Sequence, residues 1–356
     1  MANQTLSAVG VRWDLGDLFA SHDDPRIQHT LEDCRARSEA FARRYRGTIN
    51  VAGGPQPEHL LGAIRELEEM QEVLGRVGAF AGLLYATDTS RPEYRDLRER
   101  AELQGTEIGN LILFFDLEWM GLPDEAADRL MAAPILAAYR HYLQRSRRFR
   151  PHMLSELEEQ LLNERDNTGR RAFGRLFTEL TTSLSFPLER EGKVEQLTMS
   201  ELMALVHHKD REVRRRAHDV LFQVLSKHDL VLTSTYDTLL QDHLTMDRLR
   251  HFPHPMAERH LSNEIDDQAV EQMLGVTEAN YGIAQAYFRV KARLLGLPRL
   301  ALYDQYAPVG EELPSYSFDR AREVVLEAFG AFTPAFREIA EQFFTRRWID
   351  AEVRQG

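Results

Sequence analysis

The side chains with most chemical scope in this sequence are its thirteen histidines. A hydrolytic zinc site on a helix needs two imidazoles one turn apart and a glutamate beside the first to activate water, the arrangement His-Glu-x-x-His. None of the thirteen is followed by glutamate, and none lies beyond His260. Two looser groups remain. His243, Asp247 and His251 are spaced at four and eight positions, which puts all three on one helical face. Phe252-Pro253 ends that helix at once, however, and hydrogen-bonded surface histidines are the simpler reading. In the second group, His254, Glu258 and His260, a proline follows His254 and the six-residue interval sets His260 off the face of the other two.

His207-His208 closes a helix, where imidazole charge meets the carboxyl-terminal dipole favourably. His218 and His228 each precede aspartate, yet no Gly-x-Ser-x-Gly elbow supplies a nucleophile for a triad. Gly-x-x-x-x-Gly-Lys-Ser/Thr and Gly-x-Gly-x-x-Gly are also absent, so no phosphate cradle is expected. With 56 acidic residues, some carboxylates fall near one another by chance, and no glycosidase-like pair is assigned. The residues alone therefore assign no catalytic, cofactor-binding or metal-ligating position.

Composition narrows the setting. A chain of 356 residues, 43% hydrophobic and 28% charged, has enough apolar surface for two or three packed domains. A net charge of −12 disfavours nucleic acid and anionic membrane as partners. The basic runs Arg145, Arg147, Arg148, Arg150 and Arg214 to Arg216 lack an aromatic platform and read as solvated faces. Cys34 is the single cysteine, so neither an internal disulfide nor a thiolate zinc cage is expected. Met1 to Val11 carries neither a basic leader nor an apolar run, and no stretch reaches the ~18 apolar residues of a membrane span. A cytoplasmic protein without an anchor is expected.

The elements that must position these side chains are overwhelmingly helical. Asp24-Pro25 opens a helix carrying Ile27, Leu31, Cys34, Phe41 and Tyr45 at helical intervals, and Gly47 closes it. A second begins near Pro57-Glu58 and runs to Leu84, and others follow over Tyr94 to Asp116, Asp124 to Ala132 and Ile135 to Ser146. Ser155 to Glu158 and Thr198 to Glu201 match capping boxes. Between them the period changes to two, and Leu184 to Leu197 reads as a β-hairpin turning at Glu191-Gly192. Helices resume over Met199 to His207, Arg211 to Lys227, Asp229 to Leu249, Asp267 to Leu295, Phe318 to Phe329 and Pro334 to Ile349. Phe114-Phe115 and Phe343-Phe344 read as core. The last helices also present Phe329, Phe332, Phe336, Phe343, Phe344 and Trp348 as an apolar face that expects a partner.

Several blocks carry a family resemblance. Trp13-Asp14-Leu15-Gly16-Asp17-Leu18-Phe19, Leu83 to Thr89 and Phe114 to Trp119 resemble, in order, segments of oligoendopeptidase F proteins, relatives of thimet oligopeptidase. Arg148-Phe149-Arg150-Pro151-His152-Met153-Leu154-Ser155-Glu156-Leu157-Glu158-Glu159 is similar to that family's Pro-His-x-Leu-Ser-x-x-x-Glu signature. Leu302-Tyr303-Asp304-Gln305-Tyr306-Ala307-Pro308 and Arg347-Trp348-Ile349-Asp350 complete the series.

The resemblance implies a mainly α, multi-helical, two-lobed metallopeptidase-like architecture with one small β-hairpin. Residues 1–197 would form an amino-terminal helical lobe walling a cleft, and 198–356 the start of the catalytic lobe. The family binds one zinc, polarises the scissile carbonyl of short unstructured peptides and uses the motif glutamate as general base. Those ligands would lie past Gly356, so the expectation is a truncated form, inactive alone, holding no zinc itself and complemented by a carboxyl-terminal half. The alternative is a non-catalytic helical peptide-binding module or one half of a split peptidase.

Overall fold

The computed structural model describes residues 8–190, 192–310 and 316–352. Its first helices follow the local signals. The Asp24 carboxylate accepts the Arg26 amide at 2.9 Å and Pro25 fills the first turn, so α1 (Pro25–Tyr45) starts there and buries Ile27, Leu31, Cys34, Phe41 and Tyr45. Against it lie α2 (Pro57–Thr87) and α3 (Pro92–Ile112). The expected helix from Tyr94 to Asp116 is two pieces: Leu113 stays helical, but α4 (Phe114–Gly121) begins a separate short rod. Then come α5 (Asp124–Ala132), a 3₁₀ turn over Pro134–Tyr139, and α6 (Arg140–Arg147).

One core drawn from residues 19–143 joins these helices around Trp119, Phe41, Phe80, Phe114 and Phe115. The Trp119 indole N–H is buried with them and donates to the Leu143 carbonyl at 3.0 Å, so its burial leaves no donor unmet.

Ser155 caps α7 (Glu156–Thr168) as the sequence suggests. The Glu158 amide donates to Ser155 Oγ at 3.4 Å, and the Ser155 amide to the Glu158 carboxylate at 2.9 Å. Gly169 separates α7 from α8 (Arg170–Ser183), since a Cβ there would sit 3.0 Å from the Arg165 carbonyl oxygen. The hairpin pairs β1 (Phe186–Arg190) with β2 (Lys193–Leu197), antiparallel, Phe186 opposite Leu197 and Arg190 opposite Lys193. Gly192 takes φ +76° in the turn; Glu191 lies outside the described residues. Phe186 and Leu188 point inward from β1, and a second, smaller core joins Leu184 and Phe186 to Leu202, Ala217 and Val224. Those last three sit on α9 (Met199–Ala204), opened by the Thr198–Glu201 box, and α10 (Arg211–Ser226).

The remaining helices are α11 (Asp229–Leu249), α12 (Ala257–Ser262), α13 (Asp267–Ala279), α14 (Tyr281–Leu294), α15 (Phe318–Phe332) and α16 (Pro334–Thr345). The single helix expected from Asp267 to Leu295 is broken at Asn280. Its side-chain amide donates to the Val276 carbonyl at 2.7 Å, the acceptor its own backbone N–H would have used. The last helix stops at Thr345 rather than Ile349. Arg347 takes φ +55° and the Trp348 amide turns back to the Phe343 carbonyl at 2.9 Å, a Schellman closure. That turn lets 347–352 run beside the amino-terminal segment, with Asp14 N donating to Arg347 O at 2.7 Å and Ala351 N to Val11 O at 2.9 Å. The first and last family-like blocks thus lie against each other.

Phe114 and Phe115 are core, as expected, but Phe343 is exposed and Phe344 only half-buried against Phe318. α15 and α16 pack chiefly on each other, leaving Phe329, Phe332, Phe336, Phe343 and Trp348 open to solvent. The architecture is mainly α with one two-stranded hairpin. Among the described residues no helix is long and apolar enough to cross a membrane.

Candidate metal-binding clusters

Histidines and carboxylates converge where α11 ends. The helix closes with the Phe252 amide bonded to the Asp247 carbonyl at 2.8 Å and His251 at φ +59°, a left-handed C-terminal step two residues ahead of Pro253. His251 is thereby exposed, off the face it was expected to share. His243 and Asp247 do face each other, Nε2 to Oδ2 at 3.5 Å, and their third neighbour is Glu258 from α12. His243 Nε2 donates to the Pro255 carbonyl at 2.8 Å, which places the proton on that nitrogen.

The second expected group is also regrouped. His254 Nε2 and His260 Nδ1 reach the two oxygens of Asp267, at 2.9 and 2.6 Å, with the rings 5.7 Å apart. Asp266 caps α13 by accepting the Ala269 amide at 2.7 Å, and this holds Asp267 in the first turn where both imidazoles find it. His260 first, then His254, keep the Asp267 carboxyl below the usual carboxylate range. In each triad the candidate ligand atoms lie within 4.8 Å of one another.

Neither triad fits the zinc site of a His-Glu-x-x-His peptidase. One offers a single imidazole; in the other, two imidazoles six residues apart come from a loop and a helix and share one aspartate, with no glutamate beside either histidine.

The Pro-His-x-Leu-Ser run has a mechanical role. His152 stacks on Phe252 at 3.9 Å and its Nδ1 meets the Arg250 carbonyl at 2.8 Å. The Arg250 guanidinium grips both Glu159 oxygens at 2.7 Å, which raises the Arg250 pKa. The run therefore clamps α7 to the end of α11, the element that carries the first triad.

Two arginines expected on solvated faces turn inward, Arg214 fully buried and Arg147 partly. Arg147 donates to the Trp119 and Leu122 carbonyls at 2.8 and 2.9 Å, and its neighbours Arg145, Arg148 and Arg150 stay in solvent. Arg214, 2% exposed, turns inward from α10 to the fully buried Asp304 at 3.0 Å, whereas Arg215 and Arg216 remain outside. Arg211 and the Ala301 amide complete the Asp304 cage at 2.9 Å each. Burial pushes the Asp304 carboxyl up, but Arg211, the Ala301 amide and Arg214 outweigh it and the net direction is down. The sequence reading missed this cage; its only trace was Asp304 within the Leu302–Pro308 block. His207 packs on Tyr306 at 5.2 Å, and His208 Nδ1 accepts the Asp210 amide at 3.1 Å. His218 rests on Phe222 and Tyr303, and His228 precedes α11 as its N-cap.

Comparison with known proteins agrees with the shape of this scaffold. The family model described as Oligopeptidase F matches residues 118–186. Group B oligopeptidase PepB of Streptococcus agalactiae is 25% identical over 309 residues, covering 84% of this chain and 51% of PepB. Oligopeptidase PepF of Bacillus subtilis is 19% identical over 350 residues, covering 97% of this chain and 51% of PepF. The crystal structure of oligoendopeptidase-F from Enterococcus faecium superposes with a TM-score of 0.74 at 25% identity, over 91% of this chain and 61% of that one. The chain spans about half the length of the relatives it matches. The fold, the ordered sequence blocks and these matches agree in one likeness, to the oligoendopeptidase F proteins.

Proposed function

We propose that this chain supplies the helical half of a zinc oligoendopeptidase acting on short, unstructured peptides, and that the hydrolytic zinc ligands come from the half of the relatives' length that these residues do not match. The observation that carries the reading is the pairing of a family scaffold with thirteen histidines of which none precedes glutamate. Without that pair, the chain lacks the family's arrangement, in which an imidazole holds the ion and the glutamate beside it takes the proton from the bound water. The chain alone is therefore inactive, and activity needs the zinc-bearing half, continuous with it or separately encoded.

The reading divides the chain into a lobe over 1–197 and the start of a catalytic lobe over 198–356. It is supported by a large core drawn wholly from 19–143, with the small core around Phe186 and Ala217 as the joint. The cytoplasm is the proposed compartment, consistent with a lone, buried Cys34. The apolar faces of α13 to α16 provide the surface a second half would cover; Ile283, Leu294 and Phe332 are among the most exposed apolar residues there.

The test is hydrolysis of an internally quenched oligopeptide by the chain with added zinc, alone and after co-expression with the carboxyl-terminal half of a relative such as PepB. Chelator-sensitive turnover only in the pair supports the proposal, and turnover by the chain alone defeats it. Peptide binding with no turnover in either arm would instead identify a non-catalytic binding module.

A further inference from the structure

Asp247 stands out as a buried carboxylate, 7% exposed, without a hydrogen bond to either oxygen among the described residues. Buried carboxylates are ordinarily paired or hydrogen-bonded, because desolvating the charge is costly otherwise. The one imidazole in reach, His243, spends its N–H on the Pro255 carbonyl and leaves Oδ2 at 3.5 Å. Glu258 then brings a second carboxylate towards the same point, so His243 Nε2 and one oxygen from each acid lie within 4.8 Å of one another. Two converging carboxylates that receive no hydrogen bond from the imidazole beside them repel, and a cation placed among them turns both costs into attraction.

We infer that His243, Asp247 and Glu258 form a three-donor site for a divalent metal cation. One imidazole nitrogen with two carboxylate oxygens suits zinc or manganese, and three protein ligands leave a position for water. Loading shifts the His243 proton from Nε2 to Nδ1 and breaks the bond to Pro255; no proton is released, because that tautomer change frees Nε2 to coordinate. The α11 end makes the site possible: the left-handed step at His251 carries that ring away, and α12 puts Glu258 in its place. A bound ion would tie α11 to α12. The inference stands apart from the peptidase reading and does not need it.

The experiment is calorimetric titration of ZnCl2 into the chelator-treated full chain, with thermal melts followed by circular dichroism. The site predicts a stoichiometric equivalent that raises the melting temperature and weakens at least tenfold in both Asp247→Asn and His243→Ala. Asp267→Asn, which dismantles the neighbouring His254–His260 triad, leaves that equivalent within about twofold. Without metal, Asp247→Asn melts no lower than the parent, since it removes a buried carboxylate charge that receives no hydrogen bond. Should Asp247→Asn fail to fold, His243→Ala decides on the same criterion. Absence of stoichiometric zinc in the parent, or an equivalent that survives in His243→Ala and disappears in Asp267→Asn, overturns the assignment.

Discussion

Replacing Asp304 with alanine should loosen the joint between α10 and the 301–307 segment far more than any surface change. The carboxylate is fully buried, and Arg214, 2% exposed, faces it at 3.0 Å. Removing one member of a buried pair leaves the other charge desolvated and unpaired, a cost of about 3–5 kcal/mol. Arg214 retains the carbonyls of Tyr303, His208 and Lys209, at 3.0, 2.7 and 3.0 Å, which favours the lower end of that range. Converted through 1.36 kcal/mol per decade, this speeds local opening roughly 10²-fold or more. Hydrogen exchange followed by mass spectrometry should show that acceleration in peptides covering 205–216 and 301–307, with α1 and α2 unchanged. The pH dependence follows from the sign of the shift. The folded pKa is depressed, so the contribution is present above the unfolded carboxylate value near 4 and is lost as pH falls through the folded value. In the parent, opening of these segments should accelerate below about pH 4, and in Asp304→Ala that acid response should be largely gone. Equal protection in variant and parent at neutral pH would refute the reasoning.

Other outcomes follow from the same geometry. Trp119→Ala should destabilise the first core by about 3–5 kcal/mol in denaturant unfolding, whereas Trp348→Ala, on the exposed face, should change it little. Ser155→Ala removes the α7 cap and should cost about 1 kcal/mol, read as a lower denaturation midpoint. The isolated chain should self-associate through α15 and α16 and bind an apolar dye; Phe332→Glu, at a side chain 76% exposed, should reduce both without lowering stability, as light scattering and dye fluorescence will report.

What could be read from the sequence was whatever a few adjacent residues decide. Asp24-Pro25, Ser155 to Glu158 and Thr198 to Glu201 start helices where expected because each cap is satisfied within four residues. The hairpin was visible because the period changes to two, with Leu184, Phe186 and Leu188 at alternate positions. The break at Asn280 was missed, since an asparagine inside an apolar period looks tolerable until its side chain takes the Val276 carbonyl. The histidine groups were wrongly partitioned because spacing along a helix says nothing about which residue another helix brings in; His251 turned away and Glu258 arrived. Arg214 and Arg147 looked solvated for the same reason, their buried partners being 90 and 28 residues distant. Family resemblance supplied the peptidase relation that spacing could not.

The central proposal is tested most directly by peptide hydrolysis with the metal controlled. The purified chain, incubated with a quenched oligopeptide and micromolar zinc, should give no turnover above buffer, and turnover should emerge when the carboxyl-terminal half of a relative is supplied and vanish with chelator. Steady, chelator-sensitive cleavage by these 356 residues alone would contradict the account.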